Sequence, residues 1–175
     1  MIWVFGYGSL MWRPDFPYVE RSPATLKGWQ RRFWQASPDH RGTPAQPGRV
    51  VTLVADPHAQ CAGVAFLLDA HTKSEVLQNL DVREQNGYDR EAIDFDLSDG
   101  RRVSGITYIA PPSNPSFLGP EAIEATARHI ASCVGPSGSN SEYLVALANE
   151  LQSMGIVDDE IVSLHAAFKK LVNPG

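Results

Sequence analysis

The pattern of apolar residues changes its period about two-thirds of the way along this chain, and that change limits the folds it can adopt. Before the change, apolar and β-branched runs are short and punctuated by turn residues. Residues 2–5, 24–36, 49–55 and 61–68 read as strands, with Asp56-Pro57 as the turn between the last two. Residues 91–97 set Ile93, Phe95 and Leu97 against Asp94 and Asp96, the alternation of a half-buried strand, and Asp99-Gly100 turns it into 103–109 as a hairpin. After the change, apolar residues recur at helical spacing. Pro120 opens a helix carrying Ile123, Ala127, Ile130 and Val134 that stops at Gly135-Pro136. Ser139 and Glu142 have capping-box spacing ahead of Leu144, Leu147, Leu151 and Met154. Asp158 or Asp159 caps a last helix through Ile161, Leu164, Phe168 and Leu171. One further helix, at about 73–85, interrupts the strands, with Thr72 and Glu75 as its capping box and Asn86-Gly87 as its stop. Pro44 to Gly48 is an irregular loop. The expected fold is α+β, a curled, mostly antiparallel sheet with helices segregated to one side.

A chain of 175 residues is long enough to bury one core without staples, so a single domain over 1–175 is expected. Its formal charge of −5 is the wrong sign for a phosphate-backbone binder, which disfavours nucleic acid. Cys61 and Cys133 belong to no CxxC pair, so neither a disulfide framework nor a zinc site is expected and a reducing compartment fits. Met1 to Gly6 has no basic segment ahead of an apolar stretch, so no signal peptide is expected. No apolar run reaches the roughly 20 residues of a membrane helix. A soluble cytoplasmic protein is the expectation.

Two segments could carry chemistry. Phe5-Gly6-Tyr7-Gly8-Ser9-Leu10 places glycines directly after a strand, where a backbone can approach a ligand closely and turn its N–H groups inward. It is neither a dinucleotide fingerprint nor a phosphate loop nor a nucleophile elbow. A tight turn leaving an edge strand explains the same residues. Glu84 is the second candidate. Leu77 and Leu80 put it on the apolar face of its helix, in the last turn, where burial and the helix dipole both favour the neutral acid. An ion pair with Arg83 or Arg90 is the alternative. Glu75 falls on the opposite face, where capping is its expected role. No metal-ligand spacing occurs among His40, His58, His71, His129 and His165. His40 and Arg41 could meet an anionic ligand or form a solvated loop. Tyr143 could aim its hydroxyl at a site or fill the core.

Five strings occur together in order: Val4-Phe5-Gly6-Tyr7-Gly8-Ser9-Leu10 with Trp12; Arg32-Phe33-Trp34-Gln35 with Asp39-His40-Arg41-Gly42; Pro47-Gly48-Arg49-Val50-Val51-Thr52-Leu53; Arg83-Glu84 with Gly87-Tyr88; and Gly135-Pro136-Ser137-Gly138 with Glu142-Tyr143-Leu144. In these the chain resembles the ChaC family of γ-glutamylcyclotransferases, the glutathione-specific branch. The resemblance implies a small barrel-like fold and cleavage of glutathione to 5-oxoproline and cysteinylglycine, with no cofactor and no metal. It implies that Glu84 is the catalytic glutamate and that the loop of Val4, Phe5, Gly6, Tyr7, Gly8, Ser9 and Leu10 holds the γ-glutamyl group. It brings Arg41, Tyr143 and Arg49 near the substrate, Arg41 and Arg49 as candidates for its terminal carboxylate. Gln85-Asn86 stands where relatives often carry Lys-Gly. The family also bears a label as cation-transport regulators, for which the sequence shows no mechanism. A cyclotransferase for other γ-glutamyl amino acids or amines, and a non-catalytic γ-glutamyl-binding domain, are the rival readings.

Overall fold

Alternating, β-branched segments close on themselves when their edges can pair, and that happens here. The computed structural model describes residues 1–174. Strands β1 (Ile2–Gly6), β2 (Glu20–Ser37), β3 (Gly48–Leu68), β4 (Asp89–Leu97) and β5 (Arg102–Ile109) form a closed barrel in the order β1-β3-β2-β4-β5. β1 lies antiparallel to β3, β2 to β4 and β4 to β5, and the barrel is closed by a parallel β1–β5 pair, Trp3 opposite Gly105 and Val4 opposite Ile106. Gly105 is required there, because a Cβ on it would lie 2.5 Å from the Trp3 carbonyl oxygen. The expected hairpin of β4 and β5 turns at Gly100, whose φ of +91° suits glycine.

The chain divides into two compact units, Met1–Arg31 with Leu53–Asn114, and Arg32–Thr52 with Pro115–Gly175. In the first, α1 (Lys73–Arg83) buries Val76 and Leu80 against Val4, Leu10, Leu68, Ile106 and Tyr108. In the second, α2 (Ile123–Ser132), α3 (Asn140–Ser153) and α4 (Asp159–Val172) pack on one another through Ile130, Leu144, Leu147 and Leu164, all fully buried. A two-residue hairpin, β6 (Val134–Gly135) and β7 (Gly138–Ser139), precedes α3.

Four expectations need correction. Asp56-Pro57 does not divide 49–68 into two strands; β3 runs through it. Residues 55–60 are mostly exposed, so the missing proline N–H costs little, and the Asp56 carboxylate takes the His58 N–H without reversing the chain. The Thr72–Glu75 capping box does not form. Thr72 already has helical dihedrals, so its hydroxyl makes no cap bond, and Asp69 accepts the His71 and Lys73 N–H groups instead. α2 starts at Ile123 rather than Pro120, with Glu121 turned to Arg49 and Thr126, and it ends before Val134, which is exposed in β6. α1 ends at Arg83, leaving Glu84 as its cap. The two other caps form as expected, Ser139 on the Glu142 N–H and Asp158 on the Ile161 N–H.

Candidate active site

At the end of β1 the chain leaves the barrel through Tyr7 and Gly8 and enters a 3-10 turn, Ser9–Met11. Val4 and Phe5 are core residues, Phe5 stacking near Tyr7 and Phe95 at ring distances of 6.5 and 5.3 Å. Gly6 is sterically required, since a Cβ on it would sit 2.8 Å from the Leu10 Cβ. Gly8 has a φ of −125°, so the left-handed conformation is not what selects glycine there. Tyr7 is pinned twice. Its hydroxyl donates to the Tyr108 carbonyl at 2.6 Å, and its carbonyl accepts from Arg31 Nε at 2.7 Å. Arg31 is 1% exposed, and its Nη2 also donates to the Ala62 carbonyl.

Glu84 joins this loop through its neighbour. Its N–H still donates to the Leu80 carbonyl at 2.9 Å, so the helical spacing that places Glu84 over Leu80 persists past the end of α1. The Arg83 guanidinium donates to Ser9 Oγ at 2.9 Å and to the carbonyls of Arg13 and Pro14, while its Nε lies 3.7 Å from Glu84 Oε1. One cation thus ties the glycine loop to the glutamate. The pair with Arg83 exists, but it is not a surface pair, because the Glu84 and Arg83 side chains are only 18% and 23% exposed. Arg90 pairs with Asp81 instead, at 3.3 Å. The Tyr108 hydroxyl donates to the same Asp81 at 2.6 Å, and burial with that bond raises the tyrosine's pKa. Glu75 is exposed on the first turn of α1.

Arg41 and Tyr143 belong to the second unit and meet each other there. The guanidinium lies 5.6 Å from the Tyr143 ring centre, donates to the Ser139 carbonyl at 3.1 Å and sits 3.4 Å from Glu142 Oε2. Arg41 is buried, whereas the Glu142 side chain is 68% exposed. Gly138, φ +118°, leaves room for this pair; a Cβ on it would meet Glu142 Oε2 and Arg41 Nη1. The Tyr143 hydroxyl accepts the Val51 N–H and its ring meets Phe33 edge-on at 5.8 Å. Arg49 is committed to the carbonyls of Phe33 and Gly119 and to Glu121, and burial lowers its pKa against the pull of Glu121 and Glu160. Both rings of His40 and His129 serve loop contacts, to Ser137 Oγ and the Pro47 carbonyl.

Three residues that sequence reasoning passed over shape these regions. Arg31 sits in the alternation Arg31, Phe33, Gln35, all buried, so its inward direction was readable from the strand period. Asn140 grips the Arg49 backbone from both sides, at 2.7 Å each, and left no sequence signal. Glu160 accepts the Phe33 N–H at 3.1 Å and lies 3.9 Å from Arg32; burial pushes its carboxyl up to about 7 although both neighbours oppose it. It stands in an acidic first turn that reads simply as capping.

Among the described residues no cluster of His, Cys, Asp and Glu could hold a metal, and no helix is long and apolar enough to cross a membrane. Residues 2–171 match the model of the family described as ChaC-like protein. The human glutathione-specific gamma-glutamylcyclotransferase 1 is 44% identical over 159 residues, covering 88% of this chain and 71% of the relative. The Escherichia coli glutathione-specific gamma-glutamylcyclotransferase is 37% identical over 173 residues, covering 98% and 74%. The crystal structure of a yeast γ-glutamyl cyclotransferase specific to glutathione superposes with a TM-score of 0.92 at 35% identity, covering 97% of this chain and 96% of that one. With a closed barrel, the glycine loop and the Arg83–Glu84 pair in place, and a family match along nearly its whole length, this chain is a member of the ChaC-like protein family.

Proposed function

We propose that this chain cleaves glutathione to 5-oxoproline and cysteinylglycine. The observation that carries the reading is the Arg83 bridge, which holds a largely buried glutamate beside a glycine loop in a chain similar to glutathione-specific cyclotransferases. The substrate supplies its own nucleophile. Its α-amine attacks its γ-carbonyl carbon, a C–N bond closes the five-membered ring, and the bond to the cysteine nitrogen breaks. Holding the folded conformer is the larger part of the task. The α-amine stands beside a free carboxylate, which raises its pKa above the roughly 8 of a peptide N-terminus, so freeing it at neutral pH costs more than about 1.4 kcal/mol and a base is needed. Glu84 takes the ammonium proton and returns it to the leaving amine. Backbone N–H groups between Tyr7 and Leu10 receive the tetrahedral oxyanion and the substrate's α-carboxylate, each oxyanion donor contributing about 3–4 kcal/mol. The scheme uses no metal and no cofactor.

Arg41 and Tyr143 remain substrate-binding residues in this reading on chemical grounds. A buried guanidinium over an aromatic face, whose carboxylate partner is exposed, can exchange Glu142 for a carboxylate of the substrate. Arg49 lacks that freedom, because it is committed to two carbonyls and Glu121. Cys61 and Cys133 are both buried, and with no CxxC pair in the sequence a reducing, cytoplasmic setting is part of this reading. Incubation with glutathione, γ-glutamylcysteine and γ-glutamylalanine tests the reading. 5-Oxoproline and cysteinylglycine from glutathione are expected. Equal kcat/KM for all three would mark a broader cyclotransferase, and binding without turnover a non-catalytic domain.

A further inference from the structure

Three successive carbonyls in the glycine loop are taken by internal donors. Tyr7 C=O accepts from Arg31 Nε, Gly8 C=O from the Met11 N–H at 2.9 Å, and Ser9 C=O from the Arg13 N–H at 2.8 Å. In a trans peptide the C=O and the following N–H point in opposite directions. The N–H groups of Gly8, Ser9 and Leu10 therefore each point away from a carbonyl that is already committed. For Ser9 and Leu10 the turn's own backbone bonds decide this. For Gly8 a side chain decides it: of these three peptides, the one between Tyr7 and Gly8 has its carbonyl held by a guanidinium.

We infer that Arg31 is a positioning residue that locks the Tyr7–Gly8 peptide so that the Gly8 N–H faces the substrate as an oxyanion donor. The inference rests on the proposed cyclotransferase reading and names a part of its machinery. Arg31 suits the task. At 1% exposed it is among the largest fully buried side chains, and a guanidinium placed there gives up its hydration. Its fork spans three segments, reaching the end of β1 at Tyr7, the 3-10 turn at Met11 Sδ 3.8 Å away, and β3 at the Ala62 carbonyl. A planar fork with fixed donor angles sets a peptide's rotation in a way that a single ammonium does not. The Tyr7 hydroxyl bond to the Tyr108 carbonyl holds the same residue from its other end, which leaves the peptide little room to rotate while Arg31 is present.

The test combines kinetics with two direct observations of the peptide. Arg31→Met should lower kcat per folded molecule about a hundredfold, the loss seen when one oxyanion donor is removed. KM should stay within threefold, because the donor acts chiefly in the transition state. Arg31→Lys should recover only part of the loss. A kcat within threefold of wild type, with only thermal stability reduced, would make Arg31 a scaffold residue and overturn the inference. In the wild-type protein, 5-oxoproline should move the Gly8 amide proton downfield; no shift in a protein that binds 5-oxoproline also overturns it. A crystal structure of Arg31→Met, or of Arg31→Gln should the first variant not fold, is expected to show the Tyr7–Gly8 peptide rotated. An unrotated peptide overturns the inference whatever the activity. Wild-type protein that leaves glutathione intact would instead defeat the cyclotransferase reading, and the peptide rotation would still be read on its own.

Discussion

Arg31 of the first unit is used differently from Arg32, Arg41 and Arg49 of the second. In the first unit, Arg31 gives its donors to the Tyr7 and Ala62 carbonyls, and Arg83 gives its own to Ser9 and to the Arg13 and Pro14 carbonyls while facing Glu84 and Asp15. In the second, Arg32, Arg41 and Arg49 each face a glutamate, Glu160, Glu142 and Glu121. Cations that hold carbonyls orient N–H groups. A cation that faces an exposed carboxylate can exchange it for another. Of the three pairs, Arg41–Glu142 has the most exposed acid, which sets it apart from the other two.

The largest effect should come from the first unit. Glu84→Gln keeps the shape and removes the proton carrier, so turnover of glutathione should fall by about 10²–10⁴-fold while binding of 5-oxoproline, followed by calorimetry, stays nearly unchanged. Near-normal turnover in a folded variant would take Glu84 out of the mechanism. Arg41→Met asks whether the second unit contributes to recognition. A lost charge-assisted contact should cost glutathione about ten- to a hundredfold in kcat/KM and leave γ-glutamylalanine almost unaffected. Equal losses on both substrates would return Arg41 to the scaffold beside Arg49.

Glu160 sharpens the contrast through pH. Its folded value of about 7 lies above that of an unfolded glutamate, so the fold favours its protonated form. Stability from this group is present below the unfolded value near 4.3 and is lost as pH rises through about 7, by roughly 4 kcal/mol at most. Glu160→Gln retains an acceptor for the Phe33 N–H and carries no charge. Its melting temperature should therefore gain on wild type between pH 5 and 8; parallel curves would show that Arg32 and Arg49 fully compensate the burial. The smallest effect belongs to Thr72, whose hydroxyl is buried without a partner. Thr72→Val should raise stability by about 1 kcal/mol, or Tm by ~2–4 °C, since it removes an unsatisfied group and keeps the shape. A capping threonine would instead lose about as much on replacement.

Much of this was legible before folding. The alternation of Ile93, Phe95 and Leu97 and the Asp99-Gly100 turn specified the β4–β5 hairpin, because a period of two and a glycine turn are local properties. Ser139 and Asp158 were readable as caps for the same reason. Glu84 was readable from its spacing to Leu80, which survives in the bond between their backbones. The failures share a cause as well. Thr72 and Asp56-Pro57 carry strong local signals that nearby structure overruled, Asp69 by taking the cap and β3 by continuing across an exposed proline.

What the sequence determined by itself was therefore most of the elements, the family strings and the place of Glu84 over Leu80, since these depend on residues close together in the chain. Tertiary structure alone decided the partners: a parallel β1–β5 seam that closes the barrel, Arg83 reaching Ser9, Arg31 reaching the Tyr7 carbonyl, and Glu142 covering Arg41. Each of these joins residues far apart in sequence. A long flexible cation has many acceptors of equal chemical merit, and only the packed backbone, by placing one of them within about 3 Å, selects which it holds.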